Sequence, residues 1–90
     1  PQTVEGETPP TFRAQADLCF ANIDAQLRAA GMSRDNLVKL TFFLSDRRYV
    51  EDYRAARKAY LGARAIGVTT IITGIFDPAW LLEIEAVAAD

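Results

Sequence analysis

The chain contains no histidine and only one cysteine. The missing histidine removes the usual general base near neutral pH, the Ser-His-Asp and Cys-His nucleophile arrangements, and most zinc sites. The single cysteine, Cys19, forms no disulfide within the chain, which suits a reducing compartment. Basic runs are also lacking. Arg47-Arg48 and Arg57-Lys58 are the basic doublets, acids lie close to the first, and the net charge is −2. The electrostatic footprint of a nucleic-acid binder is therefore missing. No apolar run reaches the length of a membrane span, and the N-terminus is not a signal peptide. The expected address is the cytoplasm. Glycines are few and scattered, so no P-loop or GxGxxG stands out. No set of acids, histidines and cysteines has metal-ligand spacing.

What the chain does have is apolar surface. Half of its 90 residues are hydrophobic. A body this short buries only about 60–65% of its unfolded surface. Some of the apolar area is therefore expected in contacts between copies. The length fits one domain, residues 1–90.

Pro1 to Pro10 is polar, with three prolines, and reads as a loop. A domain opening in mid-loop leads us to expect residues before Pro1. Thr8 is the expected N-cap of a helix with Pro9 and Pro10 in its first turn. From there Phe12, Ala16, Cys19, Phe20, Ile23, Leu27 and Ala30 recur at helical spacing. Gly31 closes this helix of about six turns. Cys19 lies in the stripe and reads as a small core residue. Leu37–Leu44 is β-rich, with Val38, Leu40, Phe42 and Leu44 as its apolar face. Val50, Tyr53, Ala56, Tyr60 and Leu61 mark a second helix ending at Gly62. Arg54, Arg57 and Lys58 form its solvated side. Ile66 to Ile75 is β-branched and reads as a strand, with Val68, Thr70 and Ile72 on one face. A turn at Phe76–Ala79 leads to a last strand, Leu81–Ala88, and the two final strands are expected to form a hairpin. The order helix, strand, helix, strand, strand predicts an α+β fold in two layers, with both helices on one face of a mixed sheet.

The last strand carries the one chemical oddity. Alternation puts Glu83 and Glu85 on the same face, about 7 Å apart. At an effective dielectric near 20 they repel by roughly 2 kcal/mol. That face must be wet, be neutralised by a cation, or hold a proton. A solvated sheet face with two ordinary glutamates is one reading. A cleft or subunit boundary is the other. Lys39 is either the cation beside these acids or a solvated lysine. With no other motif present, the chemistry that remains is a carboxylate acting through water, with Glu83 or Glu85 as candidates.

Three blocks add to this reading. They are Asn22–Ser33 (NIDAQLRAAGMS), Asn36–Asp46 (NLVKLTFFLSD) and Leu82–Ala88 (LEIEAVA). In this order and spacing the chain resembles the Rid family, also called YjgF/YER057c/UK114, from about Thr11 to Ala88. The resemblance implies a chorismate-mutase-like fold and a homotrimer with clefts between subunits. It implies hydrolysis of imine or enamine intermediates to keto compounds and ammonia, without a cofactor. It also implies that the family's first hairpin lies before Pro1. Its catalytic glutamate matches Glu83. Counted back from Glu83, the position of its carboxylate-binding arginine is occupied by Val68. A common asparagine of the family is replaced by Arg54, and Thr70 would contact the substrate. The alternative is a non-catalytic trimer of the same fold that binds a small imine, enamine or keto acid. The ribonuclease label also attached to the family sits poorly with an acidic chain lacking histidine.

Overall fold

The computed structural model describes residues 2, 3 and 6–90. The elements are α1 (Phe12–Ala29), β1 (Leu37–Leu44), α2 (Val50–Leu61), β2 (Gly67–Ile72) and β3 (Leu82–Ala88). Short 3₁₀ turns at Arg34–Asn36 and Arg47–Tyr49 lead into β1 and α2. Both helices pack on one face of a three-stranded mixed sheet, as the element order predicts.

Helix α1 starts later than expected. Thr11, not Thr8, is the N-cap, and its Oγ1 accepts from the Ala14 N–H at 3.2 Å. Both prolines therefore precede the helix. The far end closes as the glycine predicts. Gly31 takes φ +74°, its N–H donates to the Arg28 carbonyl, and the Met32 N–H donates to the Leu27 carbonyl. Those two bonds satisfy carbonyls that the last turn leaves free.

The apolar stripe of α1 buries Phe12, Ala16, Cys19, Phe20 and Leu27 against α2 and the sheet, chiefly β3. Ala30, at its end, is exposed. Phe20 stacks on Tyr60 with centroids 4.1 Å apart, and Phe42 meets Tyr53 edge-on at 4.8 Å. Gln15 shares this buried face although it is polar. Its Nε2 donates to the carbonyls of Pro9 and Ala79, and its Oε1 accepts from the Leu81 N–H. One side chain thereby ties the approach to α1, the β2–β3 connection and the start of β3.

The expected hairpin of the last two strands does not form. The strand order is β2-β1-β3, with β2 parallel and β3 antiparallel to β1. β1 carries Leu40, Phe42 and Leu44 at 1% exposure or less, so it takes a neighbour on each side. The α2 crossover returns the chain alongside β1 as a parallel strand. Segment 73–81 then passes to the other edge. β2 is also shorter than the β-branched run, ending at Ile72.

Nor does Val38 face the helices. Leu37 pairs with Ala88 and Lys39 with Val87, so Val38 is the extra residue of a bulge. It is 52% exposed, and Leu37 takes the inward place at 5%. Beyond the bulge the alternation holds. Lys39, Thr41, Phe43, Ile71, Glu83 and Glu85 lie on the face away from the helices. Among the described residues no helix is long and apolar enough to cross a membrane.

Candidate functional site

Glu83 and Glu85 occupy β3, which among the described residues has β1 as its only strand neighbour. Glu83 stands opposite Phe43, and Glu85 opposite Thr41. Glu83 is half-buried and Glu85 exposed. Lys39 stands opposite Val87, on the diagonal from Glu85, and no ion pair joins it to either acid.

Glu83 also borders a groove of about 510 Å³ between α1 and β3. Cys19, Asn22, Gln26 and Trp80 contribute to its walls. Burial pushes the Cys19 thiol above its ordinary pKa, so it stays a protonated core residue. The indole N–H of Trp80 is fully covered and finds no partner among the described residues.

The other predicted residues lie at the opposite edge. Val68 and Thr70 share cross-strand rows with Leu40 and Phe42, so they face the helix layer. Val68 lines a second groove, of about 340 Å³, whose walls include Arg54, Arg57, Lys58 and Arg64. Arg54 pairs with Glu51 at 2.9 Å, and Arg64 with Asp35 at 3.0 Å. Both pairs are well exposed, and such contacts hold a side chain weakly. The Arg54 guanidinium can turn to an incoming anion at little cost, whereas Arg64 also donates from Nη1 to the Leu61 carbonyl at 3.2 Å. Arg57 is not the solvated residue the helix pattern suggests. It is half-buried, and its Nη1 donates to Tyr53 Oη at 2.8 Å. Tyr53 Oη in turn shares a hydrogen bond with Thr70 Oγ1.

The chain thus brings Val68 and Arg54 together, with Thr70 beside them on β2. It does not bring Glu83 to them. β1 lies between, which sets β2 and β3 about 9–10 Å apart, and Glu83 is on the other face. Tyr53, Arg57 and Lys58 are the contributors that the sequence reading missed, and Arg64 lines the groove without being the counterpart of the family's arginine in the strand register. The i, i+4 spacing of Tyr53 and Arg57 was the available signal. Among the described residues no group of histidine, cysteine and acids has the geometry to hold a metal.

This arrangement is a small two-layer α+β domain with a groove at each edge of its sheet. The model of the endoribonuclease L-PSP family matches residues 1–90, and the chain belongs to that family. It is the YjgF/L-PSP family to which the three sequence blocks pointed. A RutC family protein of Aquifex aeolicus is 26% identical over 74 residues, 82% of this chain and 59% of its own length. The chain thus spans under two thirds of that relative. The crystal structure of E. coli TdcF with bound serine is 27% identical, with a TM-score of 0.87 over 94% of this chain and 69% of that one. Yeast Mmf1, at 20% identity, superposes with a TM-score of 0.92 over 100% of this chain and 73% of its own. That likeness concerns the fold alone.

Proposed function

We propose that this protein is a cytoplasmic homotrimer that hydrolyses small imines or enamines bearing a carboxylate, yielding a keto compound and ammonia. The observation that carries the reading is the groove beside Val68. The resemblance puts Val68 where relatives bind the substrate carboxylate with arginine. Valine offers no charge, but Arg54, Arg57, Lys58 and Arg64 line the same groove. A guanidinium grips a carboxylate through two charge-assisted hydrogen bonds. E. coli TdcF, a relative, is described with bound serine, itself a carboxylate-bearing small molecule.

Glu83 of a neighbouring copy orients the water that adds to the C=N carbon. The carbinolamine then expels ammonia, and the C=O forms. An enamine first takes a proton on its β carbon. No cofactor enters the step, because water is the only co-reactant.

The test is ammonia release from 2-aminoacrylate or 2-iminobutyrate generated in situ. The wild type should exceed buffer, Glu83→Ala should lose roughly a hundredfold or more, and Arg54→Ala should raise KM. A wild-type rate equal to buffer, unchanged by Glu83→Ala, removes the enzyme. A second reading, a trimer that binds the metabolite without turning it over, is favoured by Glu83 and Thr70 lying on opposite faces of one protomer's sheet. Calorimetry with 2-oxobutyrate separates the two. Binding without turnover selects the binder.

A further inference from the structure

The groove at the β2 edge has two kinds of wall. Arg54, Arg57, Lys58 and Arg64 contribute charge, and Leu61, Ile66 and Val68 contribute apolar surface. No acid among the described residues lines it. Burial sorts the two kinds by depth. Arg54, Lys58 and Arg64 are exposed, so they form the rim. Leu61 is buried, and Ile66 and Val68 are half-buried against the core behind them, so they form the floor. Arg57 is half-buried as well, and no ion pair neutralises it among the described residues. Gly62 puts no side chain into the space, and a Cβ built there would meet no atom within 4 Å.

Each kind of wall excludes a class of ligand. A small ligand that is polar throughout would lose water over the floor and gain no partner there. A neutral apolar ligand would leave the rim cations unanswered and desolvate Arg57 further. An anionic head with an aliphatic body satisfies both walls. We propose that the groove takes such a ligand body-first, with an aliphatic side chain on Ile66 and Val68 and the anionic head at the α2 rim beside Arg54 and Arg57. Val68 is then a specificity-determining residue that contacts hydrocarbon, while the charge is met from α2. This inference rests on the reading of the Val68 groove as the ligand site, and it adds a chain-length preference to that site.

The experiment titrates the protein by calorimetry with pyruvate, 2-oxobutyrate, 2-oxopentanoate and 4-methyl-2-oxopentanoate, which share a head and differ in body. Wild-type affinity should rise along the series, by up to about fourfold for each methylene buried. Val68→Thr keeps the shape but places a hydroxyl on the floor. It should weaken 4-methyl-2-oxopentanoate about fivefold and pyruvate far less. Arg54→Ala should weaken every member by a similar factor, because all carry the same head. Equal wild-type affinity across the series overturns the inference. So does a rise that Val68→Thr leaves unchanged, since the body then lies elsewhere. In either case a loss with Arg54→Ala keeps the groove reading. If Val68→Thr does not fold, Ile66→Thr takes its place, and a rise it leaves unchanged overturns the inference in the same way. No binding of any member by the wild type overturns both the inference and the groove reading.

Discussion

Replacing Gln15 tests whether one side chain holds the connection between the layers. The residue is 1% exposed and makes three hydrogen bonds, to Pro9 O at 2.8 Å, Ala79 O at 3.0 Å and from Leu81 N at 2.8 Å. Gln15→Leu has nearly the same volume and fills the site without making any of them. At about 1 kcal/mol net for each bond, the loss is about 3 kcal/mol. That is a large share of the 5–15 kcal/mol typical of a domain. It corresponds to a drop of roughly 12–24 °C in Tm for a chain of this size. Gln15→Glu separates hydrogen bonding from packing. Its carboxylate keeps the acceptor for Leu81 but turns a negative charge on two carbonyl oxygens. Burial and those carbonyls raise such a group's pKa in the folded state. Its penalty is therefore absent below the unfolded value of about 4.3 and grows as pH rises. Urea unfolding at fixed protein concentration, at pH 7 and pH 4, measures both. A Gln15→Leu protein within about 0.5 kcal/mol of wild type, the range of ordinary surface changes, would refute the clamp. So would a Gln15→Glu deficit, relative to wild type, that is the same at both pH values.

Further expectations concern the cluster joining α1, the 3₁₀ turn before β1, and α2. Arg34 grips Asp24 through Nε and Nη2, at 3.1 and 2.7 Å, and Tyr60 Oη donates to the same carboxylate at 2.6 Å. The Arg34 hydrogen bonds hold the Asp24 carboxyl below its ordinary value of 3.8, so its contribution is complete above that pH and is lost as pH falls through the folded value. Asp24→Asn should cost about 1–2 kcal/mol at pH 7, discounted for partial exposure, and the deficit should shrink as pH falls below the ordinary carboxyl value of 3.8 in urea titrations. Thr11→Ala removes the α1 cap and should cost about 1 kcal/mol. Gly31→Ala should also cost about 1 kcal/mol from its φ of +74°, since no atom lies within 4 Å of the new Cβ. Mixing Glu83→Ala subunits with Arg54→Ala/Arg57→Ala subunits by unfolding and refolding should restore about a quarter of wild-type hydrolysis, because half of random neighbours supply each intact half-site. No recovery would place the two halves in one protomer's site.

The elements were legible in the sequence, and their partners were not. The stripe from Phe12 to Leu27 needs only the 3.6-residue period. The choice between a β2–β3 hairpin and a strand on each side of β1 depends on which strand most needs covering. That is settled by the burial of Leu40, Phe42 and Leu44 together. The Val38 bulge shifts the pattern by one residue, and an alternation count passes over it. Gln15 was readable after all. It is three residues after Phe12 and four before Cys19, so it falls on the buried face, where a polar side chain must find partners. In the groove, Arg54 and Val68 proved neighbours although 14 residues separate them in the chain. Arg57 was passed over because helical periodicity assigns a face and says nothing about a hydrogen bond to Tyr53.

The position of Glu83 constrains what assembly would make the proposed site whole. Glu83 is on β3, facing away from the helices, and the Val68 groove is at the β2 edge, facing toward them. A two-fold interface uses one self-complementary patch on each copy. No single patch of this protomer holds both groups, because they lie on opposite faces and opposite edges of the sheet. Bringing them together takes two different surfaces, the β3 face of one copy against the β2 edge of the next. Such head-to-tail contacts close into a ring or run on as a filament. Some of the exposed apolar residues fall on both sides of such a contact, with Val87 on β3 and Ile71 on β2, at 48% and 41% exposure. A closed ring would bury both in every copy and leave neither surface open for further growth. A trimer of the proposed kind would do this with three identical clefts, each taking its carboxylate from one copy and its cations from the next.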